Sequence, residues 1–139
     1  MIPRVARSLR LSVLCAGTLA FAPAGHAQAA PPATPEGVWR GTSICQARPG
    51  ICHDEIVVLH VAAAPDSAGV FLLTMNKVIA GQEEFMGTLR AHYDAATGVL
   101  SYADARGIWR FTLRGREMEG TGTVPPNLLI RRVAVTRDP

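Results

Sequence analysis

The stretch Gly107-Ile108-Trp109-Arg110-Phe111-Thr112-Leu113-Arg114 decides the fold. Trp109, Phe111 and Leu113 alternate with Arg110, Thr112 and Arg114, so one face is apolar and the other polar, with a period of two residues. A helix would need apolar residues three and four apart, and no such stripe is present. Turn formers bound the run on both sides, Asp104-Ala105-Arg106-Gly107 before it and Arg114-Gly115-Arg116 after it. The segment therefore reads as a half-buried strand held between tight turns.

The same punctuation recurs along the chain at Arg48-Pro49-Gly50, Pro65 to Gly69, Ala80-Gly81-Gln82, Asp94 to Gly98 and Pro125-Pro126-Asn127. Between these turns the segments are rich in β-branched and aromatic residues. Strands are predicted over Val38–Cys45, Glu55–Ala63, Val70–Val78, Glu83–Tyr93, Val99–Ala103, Gly107–Leu113, Glu117–Val124 and Leu128–Thr136. Eight short strands joined in sequence can satisfy their edges by closing on themselves. The expectation is an all-β, single-domain, eight-stranded antiparallel up-and-down barrel; two packed sheets or an open curved sheet are the competing arrangements. Gly41, Gly87, Gly120 and Gly122 fall inside strands, where they permit sharp bends.

Residues 1–27 carry Arg4, Arg7 and Arg10, an apolar run from Leu11 to Ala22, and then small residues around Ala27. That is the layout of a cleavable secretory signal peptide, and its apolar run is shorter than the roughly 20 residues a membrane span needs. Residues 28–35 read as a Pro- and Ala-rich linker, and residues 36–139 as the barrel domain. The formal charge of the whole chain is +3, but no acidic residue precedes Glu36, so without those three leader arginines the charges balance. A balanced domain lacks the basic surplus that nucleic acid or an anionic membrane would require.

Removing the leader also removes Cys15 and leaves Cys45 and Cys52. In an exported domain such a pair is a disulfide by default. Zinc is the competing reading, and it would need two more ligands beside them.

Gly37-Val38-Trp39 opens the first strand, and Arg131-Arg132 lies in the last. This resembles lipocalins and related small barrels, and the resemblance implies that Trp39 forms the barrel floor with Arg131 or Arg132 stacked on it by cation–π attraction. The chain departs from lipocalins in length and has no segment matching the helix after their barrel. The longer stretches Gly37 to Cys45 and Cys52 to Val58, with Asn76-Lys77-Val78 and Met86-Gly87, resemble an uncharacterised family of small exported bacterial proteins, which implies domain limits but no activity. In outline the chain is also similar to bacterial metalloprotease inhibitors, small disulfide-bearing barrels with an early Trp.

Several residue groups invite a chemical reading. Cys52-His53-Asp54-Glu55 gathers an imidazole and two carboxylates, but neighbours on a strand point to opposite faces, so a polar turn tethered by the disulfide is the favoured reading. His60 and His92 lie on different strands and read as ordinary strand histidines rather than a metal site. Ser43, Ser67 and Ser101 lack a nucleophile-elbow context. Glu83-Glu84 and Glu117-Met118-Glu119 read as solvated strand faces rather than a glycosidase pair.

No catalytic residues, metal ligands or cofactors are assigned. Trp39, Phe71, Met75, Phe85, Trp109 and Phe111, together with Met118, are expected to face a common interior that is either packed or hollow enough for one small ligand. The functional expectation is a non-catalytic binding module, exported to the periplasm or medium, for a small apolar or amphipathic ligand. The alternative is a protein-binding module such as a protease inhibitor, using the Pro-rich arm or the loop containing Arg48. A monomer with no nucleic-acid partner completes the expectation.

Overall fold

The structure is a computed structural model and describes residues 34–47, 49–50 and 52–139. The proposed signal peptide and most of the linker lie outside the described residues. The described chain forms β1 (Gly37–Cys45), β2 (Glu55–Ala63), β3 (Val70–Ile79), β4 (Gln82–Asp94), β5 (Val99–Asp104), β6 (Gly107–Arg114), β7 (Glu117–Val124) and β8 (Leu128–Arg137). Each strand pairs antiparallel with the next, and β1 pairs with β8, so the sheet closes into a barrel. Every boundary lies within one residue of the expected one. The alternation that governs Trp109 to Arg114 is clear in β7 as well, whereas in β2 Val57, Val58 and Leu59 are all buried; closure leaves no free edge at the β1–β8 junction.

The chain rises along odd-numbered strands and descends along even ones. One end, the floor, therefore gathers the start of β1, the β2–β3, β4–β5 and β6–β7 connections and the end of β8. The other end, the mouth, gathers the disulfide loop and the β3–β4, β5–β6 and β7–β8 turns. Inside the lower half, Trp39, Leu73, Leu100, Phe111 and Met118 are fully buried and pack with Val57, Leu59, Val61, Val133 and Val135. Each large side chain removed from water contributes about 1.5–3 kcal/mol before ordering costs. The lower barrel is thus a packed core.

The floor is built on Trp39, and its cationic partner is Arg137. The Arg137 guanidinium lies 4.5 Å from the indole ring centroid. This corrects the expectation for Arg131 and Arg132. In the β1–β8 register Trp39 aligns with Arg137, whereas Arg131 aligns with Cys45 at the far end. Alternation then turns Arg132 to the outside of the wall.

The Trp39 indole Nε1–H donates to the Pro35 carbonyl at 2.9 Å, and Arg137 donates to the Thr34 carbonyl. Gly37 takes φ = 131°, a backbone conformation that residues with a Cβ rarely adopt, and it lies beside the Arg137 side chain. That is a physical reason for Gly-x-Trp in this chain. Two residues assigned to the linker, Thr34 and Pro35, are accordingly tied to the barrel.

Two bulges change which way side chains face near the mouth. Met75 aligns with Gly87 and Asn76 with Phe85, which leaves Met86 as an extra residue in β4. Gly122 aligns with Arg131 and Thr123 with Leu129, which leaves Ile130 extra in β8. Each bulge shifts the following residues by one position and so exchanges their faces. Phe85, in phase with Leu89 and Ala91 by simple alternation, is therefore turned outward and is 68% exposed.

Candidate functional site

The seam between β4 and β5 is short. It holds only His92–Ser101, Tyr93–Leu100 and Asp94–Val99, all at the floor end. Above it β4 runs on to Gln82 and β5 to Asp104 with no ladder between them. The wall parts there into a cleft of about 410 Å³ that reaches from the mouth into the upper interior. Met75 of β3, Leu89 of β4, Tyr102 of β5 and Trp109 of β6 supply its apolar lining, and the two bulged residues, Met86 and Ile130, line it as well.

Trp109 is held in place by its neighbours. Its ring stacks parallel to Phe111, with centroids 6.0 Å apart and planes 6° from parallel. The two rings lie over Gly122 and Gly120 of β7, where a Cβ would come within 2.8 Å and 2.2 Å of them. An aromatic laid over a strand glycine covers backbone that would otherwise be bare. Phe111 belongs wholly to the core, and Trp109 forms the boundary between core and cleft.

The polar edge of the cleft is Asp104, at the β5–β6 turn. Its carboxylate accepts from the Tyr102 hydroxyl at 2.8 Å and from the Arg106 Nε at 2.9 Å, while the other oxygen accepts from the Arg106 backbone N–H at 2.8 Å. Stabilisation of the anion, first by Tyr102 and then by the Arg106 backbone, pulls the Asp104 carboxyl down to about 2. Arg106 otherwise extends into solvent at the rim. A ligand with an apolar tail would find Met75, Leu89 and Trp109 below and this charged turn above.

Elsewhere at the mouth the charges are paired. Arg131 lies 3.3 Å from Glu55 and donates to the His53 carbonyl at 2.8 Å, and both side chains are mostly buried. Asp54 accepts from the Cys45 backbone N–H at 2.9 Å. Cys45 and Cys52 form the disulfide, with Cα atoms 5.8 Å apart. The Cys52 to Glu55 run is thus a tethered polar turn that anchors Arg131. Arg48, expected at the tip of that loop, lies outside the described residues.

On the outer wall the His60 Nε2–H donates to Glu83 at 2.6 Å, and Asn76 donates to the same carboxylate at 2.8 Å. Arg40 bridges Glu83 at 3.3 Å and Asp138 at 2.8 Å. The hydrogen bond from His60, followed by that from Asn76, holds Glu83 below the usual carboxylate range. His92 is on β4, away from this cluster. Among the described residues no three His, Cys, Asp or Glu side chains gather into a group fit to hold a metal.

Of the residues expected at a common interior, Met75 and Trp109 meet in the cleft, whereas Trp39 and Phe111 are core. Phe71 packs edge-on against Tyr93, 5.7 Å between centroids, and Phe85 is outside. Leu89, Tyr102 and Ile130 were not singled out by the sequence, and Met86 entered only beside Gly87 in a family resemblance, not as a lining residue. The bulged pair leaves no trace in alternation, and the available signal is the glycine one residue after Met86.

Comparison with family models, with curated proteins and with solved structures finds no match.

Proposed function

We propose that this protein is a non-catalytic binding barrel that takes the apolar part of a small amphipathic molecule into the cleft between β4 and β5. The observation that carries the proposal is that cleft, about 410 Å³, with Met75, Leu89, Tyr102 and Trp109 around it and Met86 and Ile130 turned onto it by bulges. Volumes of 300–1,000 Å³ with apolar walls and few polar groups are typical of small-molecule sites. Bulges that re-aim side chains often sit beside such sites.

The proposal includes export to the periplasm or medium. The Cys45–Cys52 disulfide is compatible with an oxidising compartment, residues 1–27 have the composition of a cleavable leader, and no helix among the described residues is long and apolar enough to cross a membrane. A lipocalin-like way of binding fits the Gly37-x-Trp39 floor, with Arg137 as its lid.

The test is a fluorescence titration with single-chain fatty acids and their alcohols. Trp109 lines the cleft and Trp39 is sealed in the floor, so saturable binding should change the emission of the native protein and leave that of Trp109→Phe unaltered. A flat response from the native protein across the series would reject the proposal.

One observation favours a second reading, in which the partner is a protein. Above His92 and Ser101 the facing backbones of β4 and β5 carry no ladder to each other, and such edges accept an added extended segment. Protection of Thr88 and Tyr102 amides on mixing with a partner, rather than with fatty acids, would single out this reading.

A further inference from the structure

We infer that the outer face of β6–β7–β8–β1 is a second binding surface, for a carboxylate-bearing polysaccharide. Along the described chain most of the Lys and Arg side chains have a partner. Arg40 pairs with Glu83 and Asp138, Lys77 with Glu84, Arg90 with Asp66, Arg106 with Asp104 and Arg131 with Glu55. Arg116 donates to the Arg137 carbonyl, and Arg137 covers Trp39. Among the described residues the guanidinium groups left without a carboxylate, carbonyl or ring are those of Arg110, Arg114 and Arg132. All three line one groove of about 480 Å³ on this face.

Strand register fixes their arrangement. Arg110, Thr121 and Arg132 are cross-strand neighbours in one row, and Thr112, Glu119 and Ala134 form the next. Arg110 and Arg132 are therefore two strand spacings apart, about 10 Å at the backbone, and Arg114 is four residues along β6, about 13 Å away. Three cations spread over that span suit an extended ligand with separated charges better than one compact anion. The domain as a whole is charge-balanced from Glu36 onward; on this face the three guanidinium groups stand beside Glu119 and beside Glu117, the cross-strand neighbour of Arg114, so the positive surplus is small and is concentrated at Arg110 and Arg132.

The rest of the lining narrows the chemistry. Thr42, Thr112 and Thr121 supply hydroxyls between the arginines, and Glu119 supplies an acceptor. Guanidinium groups bind carboxylates in a planar two-point fashion, and threonine and glutamate meet sugar hydroxyls. No aromatic ring lines the groove, so it offers no platform for unstacked bases, which disfavours a single-stranded nucleic acid. A polyuronate carries both carboxylates and hydroxyls along an extended chain.

The test is calorimetric titration of the purified protein with a short oligogalacturonate. Binding should weaken on the order of 10-fold between about 50 and 200 mM salt, as expected for a few displaced counterions. The double variant Arg110→Gln/Arg132→Gln should lose binding at least about 10-fold with an unchanged thermal midpoint, whereas Arg90→Gln, on another face, should bind normally. Glu119→Gln should tighten binding, a gain that misfolding does not produce. Undiminished binding by the double variant, equal loss in Arg90→Gln, or equal affinity for single-stranded DNA would overturn the inference. Trp109→Phe leaves this surface intact, so the outcome is independent of the cleft.

Discussion

Gly120 shows how much a single missing methyl group matters here. A Cβ at Gly120 would lie 2.2 Å from the Phe111 ring, and one at Gly41 would lie 2.0 Å from the Ala134 carbonyl oxygen. Gly120→Ala should destabilise the barrel by about 1–3 kcal/mol, because the core that fixes Phe111 has little room to give. A urea midpoint equal to that of the native protein would contradict this account. Arg137→Ala should cost about 0.5–2 kcal/mol through the lost ring contact, and Arg132→Ala should cost nothing measurable in the same assay. At the β3–β4 turn, Ala80 has φ = 50° followed by Gly81 at φ = 79°, a pair that suits a two-residue hairpin turn. An alanine there is strained by roughly 1 kcal/mol, so Ala80→Gly should raise the thermal midpoint rather than lower it.

At the scale of elements, turn chemistry and β-branched or aromatic content were enough to place all eight strands, with alternation plain in Trp109 to Arg114 but absent where Val57, Val58 and Leu59 are all buried. The bulges were not legible. Met86 and Ile130 are ordinary apolar residues in apolar surroundings, and only pairing with β3 and β7 reveals them as supernumerary. The consequence is local and large. Phe85, read as interior, stands outside, and the cleft gains two residues that no period of two would nominate. Arg137 escaped notice for a related reason, since its role depends on which residue of β8 meets Trp39.

The β5–β6 turn is the element whose behaviour should follow pH. Asp104 has its carboxyl lowered to about 2 by Tyr102 and the Arg106 backbone. A depressed carboxyl stabilises the folded turn above the ordinary value near 4, and that contribution disappears as pH falls toward 2. The Asp104 carboxyl resonance in NMR should show a midpoint near the lower value, and Tyr102→Phe should move it up. An unchanged midpoint in that variant would remove Tyr102 from the explanation.

For the whole molecule, the arrangement is a sealed floor and an accessible mouth. Trp39, Arg137 and Pro35 close one end, and the exposed large apolar residues Ile44, Ile56, Ile79, Phe85, Met86, Ile108 and Leu128 all lie toward the other. Filling the upper barrel by Leu89→Trp should abolish fatty-acid binding while leaving the secondary-structure spectrum unchanged, which an equilibrium dialysis measurement would show. The three-rung seam between β4 and β5 is also the least reinforced line of the cylinder. Amides along it should exchange with heavy water before those of any other junction, and a force applied across the cylinder should unzip it there first.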